Sequence, residues 1–282
     1  MKSADNQPWV TRWRLSPRKV AACSVIAGVA IWQVGYEVLA RTALFETYGI
    51  NNFLASPLQV IQAFGELYRS GELLRHSYFS LLEFVYGFLL AIVVGVPVGF
   101  LMATQKKLNN YLDPWVSCIY ATPRVALAPI IMVWFGLGIM SSSLVVFLGA
   151  VFPILLNTYT GIQNVRKNLV EVVKAFGGSP TQVFLKVMIP DATPAIIAGM
   201  RLAVGRAVIG VVVAEWFGAE AGLGYMVYFY SQLFQPGPVF VGIVILIVFG
   251  ILSFLFLEKV ERWLSPWYAY QVHRQAYGLE ME

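Results

Sequence analysis

Three arginines lie inside long apolar stretches of this chain: Arg124, Arg201 and Arg206. Arg206 falls in a run from about Pro194 to Phe217, roughly 18 Å along a helix from Pro194 at 1.5 Å per residue. A guanidinium at such depth in lipid costs several kcal/mol and so faces a protein interior or a watery cavity. Arg206 is therefore a candidate positive element in a translocation path, and Gly210, one turn on, and Glu215, near the end of the run, are candidates beside it. The competing reading makes Arg206 structural, bonded to backbone carbonyls that nearby prolines set free. Arg124 follows Pro123 and carries the same two readings, path lining or carbonyl capping. Arg201 points the opposite way, is shallower, and reads as a side chain snorkelling to the interface.

Enzyme chemistry finds little support. His76 and His273 lie at or beyond the edges of the apolar stretches without companions at metal-ligand spacing, so no metal site is assigned. Glu83, Glu215 and Glu220 look scattered near segment ends, which argues against paired-carboxylate catalysis. Cys23 and Cys118 read as small buried side chains, not as a disulfide or a metal site. No G-x-x-x-x-G-K-[ST] run occurs, so any ATP used must bind another chain. No residue is assigned as catalytic.

The elements that must position the arginines follow from composition. The 282 residues are 58% hydrophobic and 12% charged, with a mean hydropathy of +0.68, which suits lipid and not water as the solvent. The pattern predicts an all-α polytopic membrane protein of six spans, at about 20–40, 78–104, 114–136, 144–163, 194–217 and 239–258. The first run exceeds a signal peptide's apolar core and matches the roughly 20 residues that cross a bilayer, so it reads as an uncleaved span. Pro97 predicts a kink in the second span, and Pro123 and Pro129 forbid a straight third one. The organisation expected is an arm at 1–19, a membrane domain at 20–259 holding a loop at 164–193, and a tail at 260–282.

Basic residues orient these spans. With the N-terminus inside, Lys and Arg number fourteen on the inner side, against three (Arg41, Arg69, Arg75) on the outer. That asymmetry predicts both termini in the cytoplasm of a cell-membrane protein. The net charge of +5 follows this pattern and needs no nucleic acid to explain it.

Between spans, Ser56, Pro57 and Gln59 form a cap, proline and Gln pattern ahead of Val60, Ile61, Phe64, Leu67 and Tyr68 at helical spacing. This predicts a short amphipathic helix ended by Gly71. The charged island Glu171 to Pro190 has the same grammar. A helix through 168–176 breaks at Gly177 and Gly178, and a second opens at Ser179, with Pro180 and Gln182 in capping-box register. Along the fifth span, Gly199, Ala203, Ala207, Gly210 and Ala214 share one narrow face that lets another backbone approach.

The island resembles the EAA loop of ATP-binding-cassette importer permeases. Glu171, Gly177, Val187, Ile189 and Pro190 keep its spacing, while Val172 and Val173 stand where the pattern has alanines. The resemblance spans about 53–268 and points to the branch serving nitrate, taurine and other sulfonates. FLASPLQVIQAF, GVPVGFLMA, APIIMVWFGLG, AGMRLAVGRAVIGVVVAEWFGAEAGLGYMV and LSPWY carry it. Glu83 departs from that branch, where a basic residue is expected.

What the resemblance implies is a type I importer permease: two copies of this chain forming a pore, two cytoplasmic ATPase subunits that hold ATP and Mg, and an extracytoplasmic solute-binding protein. No cofactor is implied on this chain. Glu171, Lys174, Gly178, Ser179, Val187 and Ile189 would meet or shape the contact with the ATPase, Gly177 would be the elbow, and Pro190 the stop before span five. The alternative is an ion-coupled secondary transporter, which would want intramembrane carboxylates or a repeated half. Under the importer reading, Glu171→Ala or Gly177→Asp chains insert normally but lose ATPase association or uptake. Normal uptake by both would falsify the docking assignment.

Overall fold

The structure, a computed structural model, describes residues 17–42, 45, 47 and 49–266. Lys2, Arg12 and Arg14 of the arm, and Trp267, Tyr268, His273 and Arg274 of the tail, lie outside the described residues. Every regular element described is helical. The order is α1 (Pro17–Ala40), α2 (Pro57–Arg69), α3 (Glu72–Thr104), α4 (Lys106–Ala121), α5 (Ala128–Phe135), α6 (Ile139–Gln163) and α7 (Lys167–Ala175). There follow α8 (Pro180–Val183), a π turn (Phe184–Met188), α9 (Ile189–Gly218), α10 (Leu223–Gln232) and α11 (Pro236–Leu264). A 3-10 turn at Arg124–Leu127 joins α4 to α5.

Among the described residues, five unbroken helical stretches are long and apolar enough to cross a membrane, and the α4–α5 pair makes a sixth crossing if counted as one. That pair is bent by 89°, so the third span is a broken one and not a kinked rod. The sequence explains the break: Pro123 holds extended backbone ahead of the 3-10 turn, and Pro129 sits in the first turn of α5. Neither ring could enter a continuous helix without displacing a carbonyl one turn earlier. Proline position alone did not tell a kink from a corner.

The core is built on α6, which packs α3 along one side and α9 along another. Phe84, Phe88 and Ala91 from α3, Val146, Ala150 and Ile154 from α6, and Ala203, Ala207 and Val211 from α9 close it. Contact is backbone to backbone where glycines fall. A Cβ on Gly87 would stand 2.5 Å from the Ser143 carbonyl oxygen and 2.6 Å from Val146 Cβ. The small-residue stripe of α9 faces α6 in the same way: Gly199 lies over Pro153 and Asn157, and Gly210 over Val146. That stripe is thus spent inside one chain. α1, none of whose apolar window is buried, and α11 form the periphery, with an aliphatic surface suited to lipid.

Several expected boundaries move. α3 begins at Glu72 and α6 at Ile139, each a turn or more ahead of the expected span, and α11 continues past 259 to Leu264. The largest change concerns the fifth span. From Pro180 to Gly218 the chain is a single 39-residue helical stretch, and Pro190 lies within it instead of stopping anything. The π turn explains how. The Ile189 amide donates to the Phe184 carbonyl, five residues back, and this wider turn gives the Pro190 ring room that an α-helical turn would not.

The close α3–α6 approach gives a direct test. Gly87→Leu should overpack this seam and destabilise the chain by about 3 kcal/mol. Thermal unfolding in detergent would register it, and a variant as stable as the parent would show that the seam can open.

Candidate functional site

At one end of the bundle, α3 and α9 together hold the N-terminus of α10. The His76 ring accepts the Gly222 amide through Nδ1 at 3.0 Å, and Ser80 Oγ accepts the Leu223 amide at 2.7 Å. Ser80 donates in turn to Glu215 Oε1 at 2.5 Å. Glu215 Oε2 accepts the amides of Gly224 and Tyr225. The four amides that a helix leaves orphaned are therefore all met by side chains, and a carboxylate stands at the positive end of the helix dipole. Gly222, at φ 139, brings its backbone against that carboxylate, where a Cβ would collide. Tyr230, at the far end of α10, donates to Glu72 at 2.8 Å. Burial, then the bond to Glu72, pushes its pKa to about 12, so it remains a donor throughout the physiological range.

A second feature is a cavity of about 470 Å³ between the broken span and α9, lined by Tyr120, Arg124, Val145, Arg206, Gly210 and Val213 among others. Two cations gather at one aromatic ring. Arg206 donates to the Tyr120 hydroxyl at 3.1 Å and lies 5.4 Å from the ring centroid. Arg124 lies 5.1 Å from the same centroid and 5.7 Å from that of Phe152. Arg124 Nη1 is enclosed and has no hydrogen-bond partner among the described residues. Two neighbouring guanidiniums repel, and an anion entering the cavity would offset that repulsion and supply the missing acceptor.

The third feature is the island, at the opposite end of the same spans. α7 is held from below by a cluster of Ile162, Val165, Val187 and Ala192, against which Leu169, Val170 and Val173 pack. Its other face is bare: Phe176 is 89% exposed and Val172 52%, flanked by exposed Glu171 and Lys174. Gly177 turns the chain at φ 74. Gly178 then passes close over the Val173 carbonyl. Ser179 and Gln182 complete a capping box, as their spacing predicted. At the base of α7, Arg166 grips Asp191 of α9, with its Nη at 2.6 Å, its Nε at 3.1 Å and its backbone amide at 3.1 Å. The hydrogen bond first, and the Asp191 charge second, raise the Arg166 pKa above its ordinary value.

Set against the residues singled out by sequence, the structure brings Arg124, Arg206 and Gly210 to one cavity and sets Glu171, Lys174, Gly177 and Ser179 on one surface. Glu215 belongs with neither group. It is 1% exposed and does not line the cavity, because its oxygens are taken by Ser80 and the start of α10. Glu83, also 1% exposed, lies beside it, so these two carboxylates are adjacent and not scattered. Val187 turns into the core beneath α7 instead of toward a partner. Arg201 does not snorkel freely: it pairs with Glu261 of α11 and lies over Phe254. Cys23 and Cys118 are exposed, on apolar faces, and not buried. The roles of His76 and Ser80, which with Glu215 latch the start of α10, and of Asp191, which holds Arg166, escaped sequence reading, since polar side chains at helix edges give no signal of which backbone they will meet.

These features sit on a known architecture. The MetNI methionine ABC transporter, solved in inward-facing conformations, superimposes with a TM-score of 0.57 at 23% identity, covering 67% of this chain and 94% of that one. An amino acid ABC transporter solved with histidines follows at a TM-score of 0.54 and 17% identity. The fold is that of a type I ATP-binding-cassette importer permease. Residues 95–266 match the binding-protein-dependent transport system inner membrane component family, and the chain belongs to it.

Relatives in that family agree over most of their length. A Bacillus subtilis protein named as an aliphatic sulfonates transport permease, SsuC, is 37% identical over 85% of this chain and 84% of its own. The formylaminopyrimidine transport permease ThiX of Halalkalibacterium halodurans is 32% identical over 85% and 92%. An Escherichia coli protein also named SsuC is 31% identical over 92% and 94%. The chain is thus a transport permease subunit and not itself an enzyme, with ATP hydrolysis on a separate subunit.

The latch makes a stability prediction. Glu215→Ala should strand the Gly224 and Tyr225 amides and the Ser80 hydroxyl, costing at least about 2 kcal/mol. It should also raise amide hydrogen exchange across 222–225. Exchange at the parent rate there would mean that the carboxylate does not hold α10.

Proposed function

We propose that this permease subunit imports a small anionic solute, with a sulfonate as the leading class. The observation that carries the reading is the meeting of Arg124 and Arg206 at Tyr120 around the cavity. Two fixed cations in a pocket otherwise lined by residues such as Val145, Ile209 and Val213 favour an anionic head with a compact apolar body. The sulfonate names of two relatives support the same class, and the pyrimidine name of a third does not, so the cavity carries more weight than the names. Taurine and nitrate fit the charge; nitrate makes less use of the apolar lining.

The driving force would come from a separate ATPase holding ATP and Mg, docked on the exposed face of α7 and the elbow. Glu171, Lys174 and Phe176 offer the polar and apolar contacts for it, and Gly177, Gly178 and Ser179 the shape. Two copies of the permease would enclose the path, with two ATPases on the cytoplasmic side and a solute-binding protein on the other. Basic residues favour both termini in the cytoplasm. ATP binding would act by preferring one of two pore arrangements, as any ligand must that shifts an equilibrium.

Arg206→Ala and Arg124→Ala should each lower the apparent affinity for an alkanesulfonate in membrane vesicles by about tenfold, the scale of one lost charged hydrogen bond. Assembly should persist. Parental affinity in both variants would return the pair to a purely structural role.

A further inference from the structure

α7 has nine residues, too few to be stable as an isolated helix, so its placement depends on what anchors it. The apolar cluster beneath it fixes depth but little direction, since aliphatic side chains slide over one another at modest cost. Direction comes from Arg166, which stands at the N-cap of α7 just beyond the end of α6. Three of its N–H groups, one of them backbone, converge on the Asp191 carboxylate. Asp191 lies in the first turn of α9. From there to Arg206 is a single helix about 22 Å long, with no break between.

The other limb of the elbow reaches α9 differently. α8 continues into α9 only through the π turn, whose hydrogen bonds span five residues. A π turn inside an α-helix is a place where one residue's worth of backbone is already loosened, and such turns mark positions where a helix can re-register. Phe184 of this turn packs at a tilt against Phe100 at the end of α3, with centroids 4.5 Å apart. One limb is thus stiff and charge-anchored, and the other is compliant.

We propose that Arg166 and Asp191 form a strut that carries displacement of α7 into α9, and so to Arg206 at the cavity, with the π turn taking up the accompanying change in the other limb. Both are positioning residues; neither touches solute or nucleotide. The proposal rests on the reading that the α7 surface docks an ATPase. An exposed ion pair alone would count for little in stability, with side chains 52% and 17% exposed, so the role expected is directional and not energetic.

The test uses the full chain with its ATPase in proteoliposomes, carrying Cys23→Ser, Cys118→Ser and a reporter Ile209→Cys, a position on the cavity wall. Maleimide labelling is timed without nucleotide and with ATP plus vanadate. The two states should differ by about tenfold in labelling rate in the parent, within the usual range of coupling between sites. Arg166→Asp and Asp191→Arg should each still copurify the ATPase but lose this difference, and the reciprocal double variant should regain it. Single variants that keep both the ATPase and the nucleotide response overturn the strut. So does a double variant that fails to recover while both singles have lost the response. A parent chain that copurifies no ATPase overturns the docking reading beneath it.

Discussion

Lipid gives a backbone no hydrogen-bond partner, so every departure from regular helix in this chain has to be satisfied from inside the protein. The structure meets that demand with side chains at three helix starts and with a changed ladder at a fourth point. Glu215, Ser80 and His76 together absorb the orphaned amides of α10, and the capping boxes at Ser56 and Ser179 do the same where α2 and α8 begin. The π turn rearranges the ladder ahead of Pro190 instead of ending it. Once those points are satisfied, the long helices are free to carry charge and cavities where function needs them.

The same constraint places the arginines. Arg201 has a carboxylate and an aromatic ring to offset its burial, and Arg206 has a tyrosine hydroxyl. Arg124 has ring faces, and it and Arg201 each keep one donor unmet among the described residues. The break at Pro123 sets where Arg124 lies. By turning the third span through a corner, it opens the space in which Arg124, Tyr120 and Arg206 meet, a space that a straight helix packed on α9 would have filled. The cavity and the broken span are one feature seen from two sides.

Between the cavity and the island runs α9, which is why the two ends of the molecule can be mechanically related. Its small-residue face binds it tightly to α6, so it moves with that helix or not at all. The island attaches to it through Arg166 with Asp191, through the apolar cluster that includes Ala192, and through the π turn. The exposed face of α7 is thereby tied to the membrane domain through both limbs of the elbow.

Much of this was legible in the chain alone. Long apolar runs, proline positions, capping residues and the spacing from Glu171 to Pro190 depend on local chemistry, and they determined the helical membrane class, the elbow at Gly177 and the resemblance to importer permeases. Arg206 stood out because a charge in lipid is costly wherever it points. What the sequence could not decide was which distant polar groups would meet. Glu83 and Glu215 looked scattered because their separation along the chain says nothing of two helices crossing, and Glu215 read as a path residue until α10 closed on it. Pro190 is a stop only in what the resemblance implies; the packed structure, with a π turn held against Phe100 and the cluster around Val187, carries the helix through it, because the wider turn leaves its ring room.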